Sequence, residues 1–589
     1  MTTPVLPYIP ETAPFSVEQR AWLNGFLAGL FSQNPNGGQP QLNGQSAAPA
    51  NTEPLLILFG SQTGTAEGLA KKLAKESTAR GFAPKILALN DYEAANLAAA
   101  NKAVIISSTW GDGEPPDNAV NFWSWLNAGS APRLENLNFA VLGLGDKNYS
   151  DFCGASKKFD ARLEALGAKR LVPRGECDVD YETDAKNWIA GLWEKLGGAA
   201  GSQTATATGD ANASAAPAHD KFNPFPAKLL KNVLLNQPGS SKEVRHYEIS
   251  LANSGLTYEA GDALGVLPKN CPELVNSVLA SLRCTGEELV KTGDLIEPVR
   301  EAFTRHFDIT KPSSELLAAV VQAAPDCELA PLLAPERLAD LKKWLWGRDL
   351  HDVLNLLPAP MPLEQLVPFL RKLTSRLYSI SSSPKAHPGE VHLTISAVRY
   401  ESYGRGRKGV ASTFLADRVG DMDFVKVYVQ QSHGFRPPTN GDAPMIMVGP
   451  GTGIAPFRAF LEERAATGAK GKNWLFFGDQ KRATDFLYEE QLAACQKSGF
   501  LTRLDLAFSR DQKEKVYVQT RMLENAAELW SWLEAGGHFY VCGDASRMAK
   551  DVDDALHKIV ETAGGKTADE AKAYVAKMKS DKRYQRDVY

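Results

Sequence analysis

Small hydroxyl and glycine residues follow the apolar run at residues 55–59 and precede a helical pattern that begins at Glu67. Such a loop can hold a phosphate, because the unpaired N–H groups and the dipole of a helix N-terminus favour an anion. The loop contains no Lys or Arg and lacks the spacing of nucleoside triphosphate and dinucleotide loops, which favours the monophosphate of FMN. The alternative is a turn that binds nothing. The predicted contacts are Ser61, Gln62, Thr63, Gly64, Thr65 and Ala66.

Two later glycine-rich loops, residues 107–118 and 143–153, also follow apolar runs. In an open parallel α/β sheet, loops at the carboxyl ends of the strands converge on one crevice. Trp110 and Tyr149 would then cover the two faces of a flavin, although either aromatic alone is more often ordinary packing. The predicted FMN contacts in these loops are Ser108, Thr109, Trp110, Gly111, Leu144, Gly145, Asp146, Asn148, Tyr149, Phe152 and Cys153.

A second flavin is predicted from two segments farther along the chain. Residues 376–383 offer a cation for a pyrophosphate, an aromatic ring for an isoalloxazine face and several hydroxyls, and a glycine at 409 opens a helix. The first segment alone is a weak motif, but the pair indicates FAD bound to a β-barrel. The predicted contacts are Arg376, Leu377, Tyr378, Ser379, Gly409, Val410, Ala411 and Ser412.

Another glycine-rich loop, residues 449–453, lies between a buried apolar run and a helical pattern. Its glycines allow the backbone to approach a nucleotide at the end of a strand. The predicted contacts are Gly451 and Thr452.

Composition narrows the class of protein. The 589 residues suffice for three or four domains, and the net charge of -4 disfavours nucleic acid as a partner. The seven cysteines are scattered without a C-x-x-C pair, and the nine histidines show no metal-ligand spacing, so we expect no metal and a reducing compartment. No basic leader or membrane-length apolar run is present in the sequence, which predicts a soluble cytoplasmic protein without membrane contact.

The patterns divide the chain into five parts. Residues 1–52 form an N-terminal arm, whose short apolar helix at 22–31 either packs on the next domain or mediates self-association into a homo-oligomer. Residues 53–198 alternate strands and helices, and residues 199–220 are a flexible linker. Residues 221–440 contain β runs interrupted by a helical insertion at about 270–372, and residues 441–589 return to alternating strands and helices.

Residues 55–589 resemble the diflavin reductases, because the motifs for FMN, FAD and a nicotinamide dinucleotide follow in that order. The resemblance implies a multidomain α/β and β fold: a flavodoxin-like doubly wound FMN domain, a ferredoxin-reductase-like FAD barrel with a helical insertion, and a Rossmann-like NADPH domain. It also implies contacts to FMN (Asp178), FAD (Thr310, Thr394, Ile395, Ser396, Tyr400) and NADPH (Ser509, Arg510, Lys515, Val516, Tyr517, Val518, Gln519, Asp551). The 509–519 segment would otherwise be a solvated basic loop.

The resemblance further places four residues at the point of hydride transfer. Ser379, Cys542 and Asp587 correspond to the polar residues around that point, and Cys542 would position groups rather than act as a nucleophile. The terminal aromatic, Tyr589, would stack on the FAD ring and move aside for nicotinamide.

Within this family, the ending at 582–589, the loop at 144–153 and the helix at 21–31 most resemble the flavoprotein α subunit of bacterial sulfite reductase. This implies electron flow from NADPH through FAD and FMN to a separate haemoprotein β subunit with sirohaem and an iron–sulfur cluster, as part of sulfur assimilation for cysteine biosynthesis. The alternatives are a stand-alone reductase for a cytochrome or another acceptor, and a non-catalytic flavin electron carrier or scaffold.

Overall fold

The computed structural model describes residues 53–61, 64–110, 113–147, 151–178, 181–197, 219–293, 295–432 and 434–589. The predicted N-terminal helix and residues 199–218 of the predicted linker lie outside these ranges. So do the following predicted FMN contacts: Gln62, Thr63, Gly111, Asn148 and Tyr149.

The first part of the described chain is a doubly wound sheet. Its elements are β1 (Glu53–Gly60), α1 (Thr65–Ala79), β2 (Phe82–Ala88), β3 (Lys102–Ser108), α2 (Val120–Asn127), β4 (Asn138–Leu144), α3 (Gly154–Ala165), β5 (Lys169–Arg170), β6 (Gly175–Cys177) and α4 (Tyr181–Leu196). The strand order is β2-β1-β3-β4-β5, and β6 also pairs with β4. The central strands are apolar along most of their length because both faces of the sheet are covered by apolar cores.

A β-barrel follows, formed by β7 (Phe225–Leu234), β8 (Val244–Ser250), β9 (Ala263–Leu267), β14 (Arg376–Ser379), β15 (Glu390–Ser396) and β18 (Phe424–Gln430). The strand order is β14-β9-β18-β7-β8-β15. A bridge between Ile380 and Leu393 joins the two ends of this order, so the sheet closes around its own core. The hairpin β16 (Arg399–Ser402) and β17 (Arg405–Lys408) and the helix α11 (Val410–Asp417) follow β15.

The chain between β9 and β14 is mostly helical and has a core of its own. Its elements are α5 (Pro272–Leu282), β10 (Leu289–Thr292), β11 (Leu295–Pro298), α6 (Val299–Arg305), β12 (Phe307–Asp308), α7 (Ser314–Ala323), α8 (Leu338–Leu345), α9 (Leu350–Leu354), α10 (Leu363–Leu366) and β13 (Arg371–Lys372). This insertion places β13 immediately before the strand that carries Arg376.

The last part is a parallel sheet in the order β21-β20-β19-β22-β23. Its elements are β19 (Met445–Val448), α12 (Ala455–Ala466), β20 (Asn473–Asp479), α13 (Arg482–Asp485), α14 (Glu489–Lys497), β21 (Arg503–Phe508), α15 (Val518–Glu524), α16 (Ala526–Glu534), β22 (His538–Gly543), α17 (Met548–Thr562), α18 (Ala568–Ser580) and β23 (Tyr584–Val588). Apolar cores lie on both faces of this sheet. Among the helices in the described part of the chain, none is both long and apolar enough to cross a bilayer.

Candidate functional site

The three predicted FMN loops meet at one edge of the first sheet. Gly60 at the end of β1 lies beside Ser107 of β3, and Ser108 lies beside Leu144 of β4. Leu144 in turn lies beside Cys177 of β6. The structure therefore brings Ser61, Ser108, Leu144 and Asp178 together at neighbouring strand ends.

The first loop is held in a turn in front of α1. Gly64 has a φ of 89°, which favours glycine, and its N–H donates to Ser61 Oγ at 2.9 Å. The Ser61 N–H donates to Asn118 Oδ1 at 2.8 Å. Asn118 therefore shapes the loop, a role that the sequence analysis missed because the contact joins two loops.

The second loop contains a buried hydroxyl group. Thr109 N donates to Leu144 O at 2.9 Å, but Thr109 Oγ1 is buried without a hydrogen-bond partner among the described residues. A buried polar group without a partner costs free energy, so this hydroxyl is suited to a polar group of a bound cofactor. Trp110 is bridged to Glu114 by two backbone hydrogen bonds of 2.8 Å and packs against the core of the last sheet.

The third loop is tied to β6 and to the residue that follows it. Gly145 N donates to Cys177 O at 2.9 Å, and Lys147 N donates to Asp178 Oδ1 at 3.0 Å. A Cβ atom at Gly145 would lie only 2.9 Å from Cys153 N, so the loop requires glycine there. The three loops therefore provide backbone donors, a free hydroxyl and close backbone approach, which fit a flavin phosphate and ring.

The predicted FAD strand lies at the junction of the barrel and the insertion. Arg376 Nη1 donates to Thr374 Oγ1 at 2.7 Å, and its Nη2 lies 3.8 Å from Asp308. Thr310 Oγ1 donates to the same Asp308 at 2.5 Å, which brings the predicted contact Thr310 close to Arg376. Burial raises the pKa of Tyr378 to about 12, so its phenol remains protonated and can donate a hydrogen bond.

The other predicted FAD residues have mixed surroundings. Tyr400 is exposed and its ring lies 5.2 Å from that of Trp346, a second aromatic that the sequence analysis did not select. Ile395 belongs to the barrel core, and Thr394 Oγ1 lies 2.6 Å from Tyr488 OH. Ser412 Oγ accepts a hydrogen bond from Val398 N at 3.1 Å at the start of α11. Val410 and Ala411 are the first two residues of that helix, directly after Gly409.

The dinucleotide loop packs closely against the strands beside it. A Cβ atom at Gly453 would lie 2.1 Å from Cys542 O, and one at Gly449 would lie 2.5 Å from Gly453 O. Gly451 has a φ of 57°. Glycine is therefore required by both backbone angle and space.

Four predicted residues meet where the barrel contacts the last sheet. Ser379 Oγ donates to Asp587 Oδ2 at 2.6 Å, and Cys542 Sγ lies 3.9 Å from the same oxygen. Burial raises the pKa of Asp587, although the hydrogen bonds from Ser379 and Cys542 oppose this shift. Tyr589 OH lies 2.7 Å from Thr452 Oγ1, so the last residue contacts the dinucleotide loop.

The predicted 2′-phosphate loop lies after β21. Arg510, Lys515 and Tyr517 are exposed, and Ser509 N donates to Asp479 O at 2.9 Å. Gln519 Nε2 donates to Asp551 Oδ2 at 3.1 Å, which brings together two predicted contacts. The remaining predicted residues lie in the apolar core or pack against it: Val518 and Val516.

The structure also brings a charged pair, Lys242 and Asp479, to the dinucleotide loop. Lys242 lies between the barrel strands β7 and β8, and its Nζ donates to Oδ1 of Asp479 at the end of β20 in the last sheet. A Cβ atom at Gly451 would lie 3.7 Å from Asp479 Oδ2 and 3.9 Å from Lys242 Nζ. No local pattern could reveal this pair, because the two residues are separated by 237 positions.

A histidine cluster lies on the barrel side facing α12 and comprises the buried His246 and His392 and the half-buried His387. His246 Nδ1 lies 2.9 Å from Tyr488 OH, and its Nε2 lies 3.3 Å from Glu248 Oε1. His392 Nε2 lies 3.2 Å from Glu390 Oε2, and His387 Nε2 lies 3.2 Å from Glu462 Oε1. Histidine and carboxylate atoms here are close enough to one another for a metal ion, a proximity that spacing along the sequence did not indicate. We interpret the cluster as a hydrogen-bonded junction, since each ring already has a protein partner.

Three parts of the chain match family models. Residues 57–189 match Flavodoxin, residues 217–414 match the FAD binding domain, and residues 447–554 match the Oxidoreductase NAD-binding domain. The fold and the site thus define a flavoprotein reductase with two flavin domains and a nicotinamide dinucleotide domain on one chain. The predicted fold class and the predicted cofactors, FMN, FAD and NADPH, are confirmed.

Curated relatives are similar along nearly the whole chain. The sulfite reductase [NADPH] flavoprotein alpha-component of Bacillus subtilis (strain 168) is 46% identical over 578 residues, covering 97% of this chain and 95% of the relative. The protein of the same name from Vibrio cholerae serotype O1 is 44% identical over 98% of this chain and 94% of the relative. The one from Neisseria meningitidis serogroup C is 42% identical over 100% of this chain and 99% of the relative. The chain therefore belongs to the family of NADPH-dependent sulfite reductase flavoprotein alpha-components, and the prediction of an NADPH-dependent oxidoreductase is confirmed.

Proposed function

We propose that the chain takes electrons from NADPH and delivers them, through FAD and then FMN, to a haemoprotein that reduces sulfite to sulfide. The observation that carries this proposal is that Ser379 and Cys542 both contact the Asp587 carboxylate, which joins the FAD strand to the dinucleotide sheet. When bound, NADPH supplies a hydride, FAD accepts its electron pair and FMN releases electrons singly. The predicted domain boundaries 53–198, 221–440 and 441–589 are those we propose for the three cofactor domains.

In the FMN domain, the N–H groups at the start of α1 would hold the phosphate, helped by the turn at Ser61 and Gly64. Thr109 Oγ1 would donate to or accept from the flavin, since it is buried and otherwise unpaired among the described residues. A cavity of about 300 Å³ lies along the side of this helix, between α1 and α4, and reaches Gly64 and Thr65 at the start of α1. We propose the other predicted loop residues as contacts on the strength of their sequence pattern and the family alone.

In the FAD domain, Arg376 and the first turn of α11 would hold the pyrophosphate, because both present donors to an anion. The Tyr378 ring would lie on the isoalloxazine. In the NADPH domain, Arg510 and Lys515 would bind the 2′-phosphate, since two exposed cations beside Ser509 and Tyr517 suit a dianion.

At the point of hydride transfer, the residues of this chain would orient the reactants and exclude water. The Ser379 hydroxyl donates a hydrogen bond to Asp587, and this fixes the orientation of the serine side chain on the strand proposed to bind FAD. Burial raises the pKa of the Cys542 thiol, which keeps it neutral and unsuited to act as a nucleophile. Tyr589 would cover the flavin face until nicotinamide replaces it.

The acceptor that we propose is a separate β subunit with sirohaem and an iron–sulfur cluster, on the strength of the family and the names of its members. We further propose self-association through the apolar helix at residues 22–31, for which the support is its sequence alone. A cytoplasmic location is proposed because all seven cysteines are free thiols.

The test is reconstitution with a purified sirohaem β subunit from the same source. We expect NADPH oxidation that depends on sulfite and releases sulfide, whereas the chain alone should reduce only artificial acceptors. If the mixture produces no sulfide while a cytochrome is reduced rapidly, the chain is a stand-alone reductase instead. Removal of residues 1–50 should weaken self-association, measured by sedimentation, more than it weakens reduction of artificial acceptors.

A further inference from the structure

The third FMN loop contacts the helical insertion through charged groups. Arg371 Nη1 on β13 donates to Lys147 O at 2.8 Å. The Asp146 carboxylate lies close enough to Lys311 to act on its charge. The pKa of Glu315 lies below its ordinary value, mainly because its own N–H donates to the carboxylate, and Arg371 and Lys147 lower it further. The loop and the insertion therefore face each other with alternating and complementary charges.

Both sides of this contact are anchored next to a proposed flavin site. On the FMN side, Lys147 N donates to Asp178 Oδ1, which fixes the loop to the end of β6. On the other side, Arg371 on β13 lies opposite Asp308 on β12 in the antiparallel strand pair. The Asp308 carboxylate lies 3.8 Å from Arg376 Nη2. One hydrogen bond from Arg371 thus connects the loop proposed to carry FMN with the segment proposed to hold FAD.

We propose that Arg371 is a positioning residue for electron transfer between the two flavins. It holds the FMN domain against the helical insertion, and Lys311 and Glu315 support that orientation through Asp146 and Lys147. With both cofactors bound, FAD already reduced by NADPH would give two electrons and two protons to FMN, so no further oxidant or reductant would be required. This inference rests on the proposed function, because it assumes that both flavins bind where we propose.

The experiment compares Arg371→Ala, Arg371→Lys and a control, Arg337→Ala, in the full chain loaded with both flavins. Arg337 is a suitable control because it lies in the same insertion and pairs with Asp340 at the surface. Anaerobic stopped-flow mixing with NADPH would separate reduction of FAD from the later reduction of FMN. Small-angle X-ray scattering of the oxidised protein would give the radius of gyration, which does not depend on activity.

We expect Arg371→Ala to slow the FMN phase by about three- to tenfold, the effect of losing one exposed hydrogen bond to a backbone carbonyl, with no change in the FAD phase. The radius of gyration of Arg371→Ala should exceed that of the wild-type protein. Added salt should raise the wild-type radius of gyration toward the value of the variant, because salt screens the supporting charges. Arg371→Lys keeps the positive charge, so its FMN reduction rate and its radius of gyration should lie between those of the wild-type protein and Arg371→Ala. The inference is wrong if Arg371→Ala matches Arg337→Ala in both measurements, or if the FAD phase slows equally. Failure of the wild-type protein to be reduced by NADPH would instead refute the proposed function.

Discussion

Arg510 and Lys515 determine, on our proposal, which nicotinamide dinucleotide the enzyme uses. Both side chains are exposed in the loop after β21, where they could reach a 2′-phosphate. Replacing either by Ala should raise the KM for NADPH about ten- to a hundredfold, which corresponds to the roughly 1.5–3 kcal/mol of a charge-assisted hydrogen bond. The KM for NADH should change little, because NADH has no phosphate at this position.

The control for these two variants is Lys513→Ala, which removes another exposed cation from the same loop. Its steady-state kinetics should resemble those of the wild-type protein for both dinucleotides. An equal loss with NADPH and NADH in Arg510→Ala and Lys515→Ala would show that neither residue recognises the 2′-phosphate.

Tyr589 is the second residue whose role can be tested alone. The residue is 62% exposed and its hydroxyl lies 2.7 Å from Thr452 Oγ1. Its backbone is held by hydrogen bonds to Gly543 O and from Ala545 N, so the ring would move by rotation of the side chain. Deleting it should tighten binding of nicotinamide and reduce the preference for NADPH over NADH, because the ring would no longer compete for the flavin face. Steady-state kinetics with both dinucleotides measure this effect.

Tyr589→Phe separates the ring from the hydroxyl in that experiment. It should keep most of the wild-type preference, since the competing ring remains. If deletion of Tyr589 leaves the kinetics of both dinucleotides unchanged, the terminal residue does not cover the flavin.

At the scale of elements, the junction between β8, β15 and α12 should make stability depend on pH. Burial lowers the pKa of both His246 and His392 below the ordinary value of 6.5, and the nearby Arg458 acts in the same direction, while Glu248 and Glu390 oppose it. Below pH 6.5 the unfolded chain therefore binds more protons than the folded chain. The free energy of unfolding should fall as the pH falls below 6.5, by about 1.4 kcal/mol for each unit by which a pKa is lowered.

Thermal unfolding between pH 7.5 and pH 5.5 tests this expectation. The double variant His246→Gln and His392→Gln should show a flatter dependence of the melting temperature on pH than the wild-type protein. His219→Gln replaces a partly exposed histidine outside this junction and should leave the dependence unchanged. A wild-type melting temperature that does not fall over this pH range would contradict the assignment of these rings as buried and neutral.

At the scale of the whole molecule, two flavin sites of different construction predict one FMN and one FAD in each chain. The first is a set of strand-end loops, and the second combines a barrel strand with the start of α11. Gly64→Val should remove FMN and retain FAD, because φ at this position is 89° and strains a branched residue. Acid release followed by chromatography measures both flavins. Recovery of a single flavin type from fully loaded wild-type protein would exclude the two-flavin arrangement.

Much of this organisation is visible in the sequence because it depends on neighbours along the chain. A buried strand produces a continuous apolar run, and a phosphate-binding turn requires small residues directly after it. For this reason Ser61, Ser108 and Leu144 could be placed on adjacent strand ends, and the fold class and cofactors were predicted correctly. The individual contacts of these residues with cofactors stay predictions.

Other features of the site depend on contacts between distant parts of the chain, and only the tertiary structure reveals them. Lys242 reaches Asp479, and Arg371 reaches Lys147 across 224 positions. The histidine cluster likewise joins β8 to β15, which are separated by the whole insertion. No periodicity or motif records such pairs, because they arise from strand pairing and domain packing between segments that lie far apart in the chain. The sequence alone therefore determined which chemistry each segment can perform, whereas the packing of the domains decided which side chains join those segments into one path.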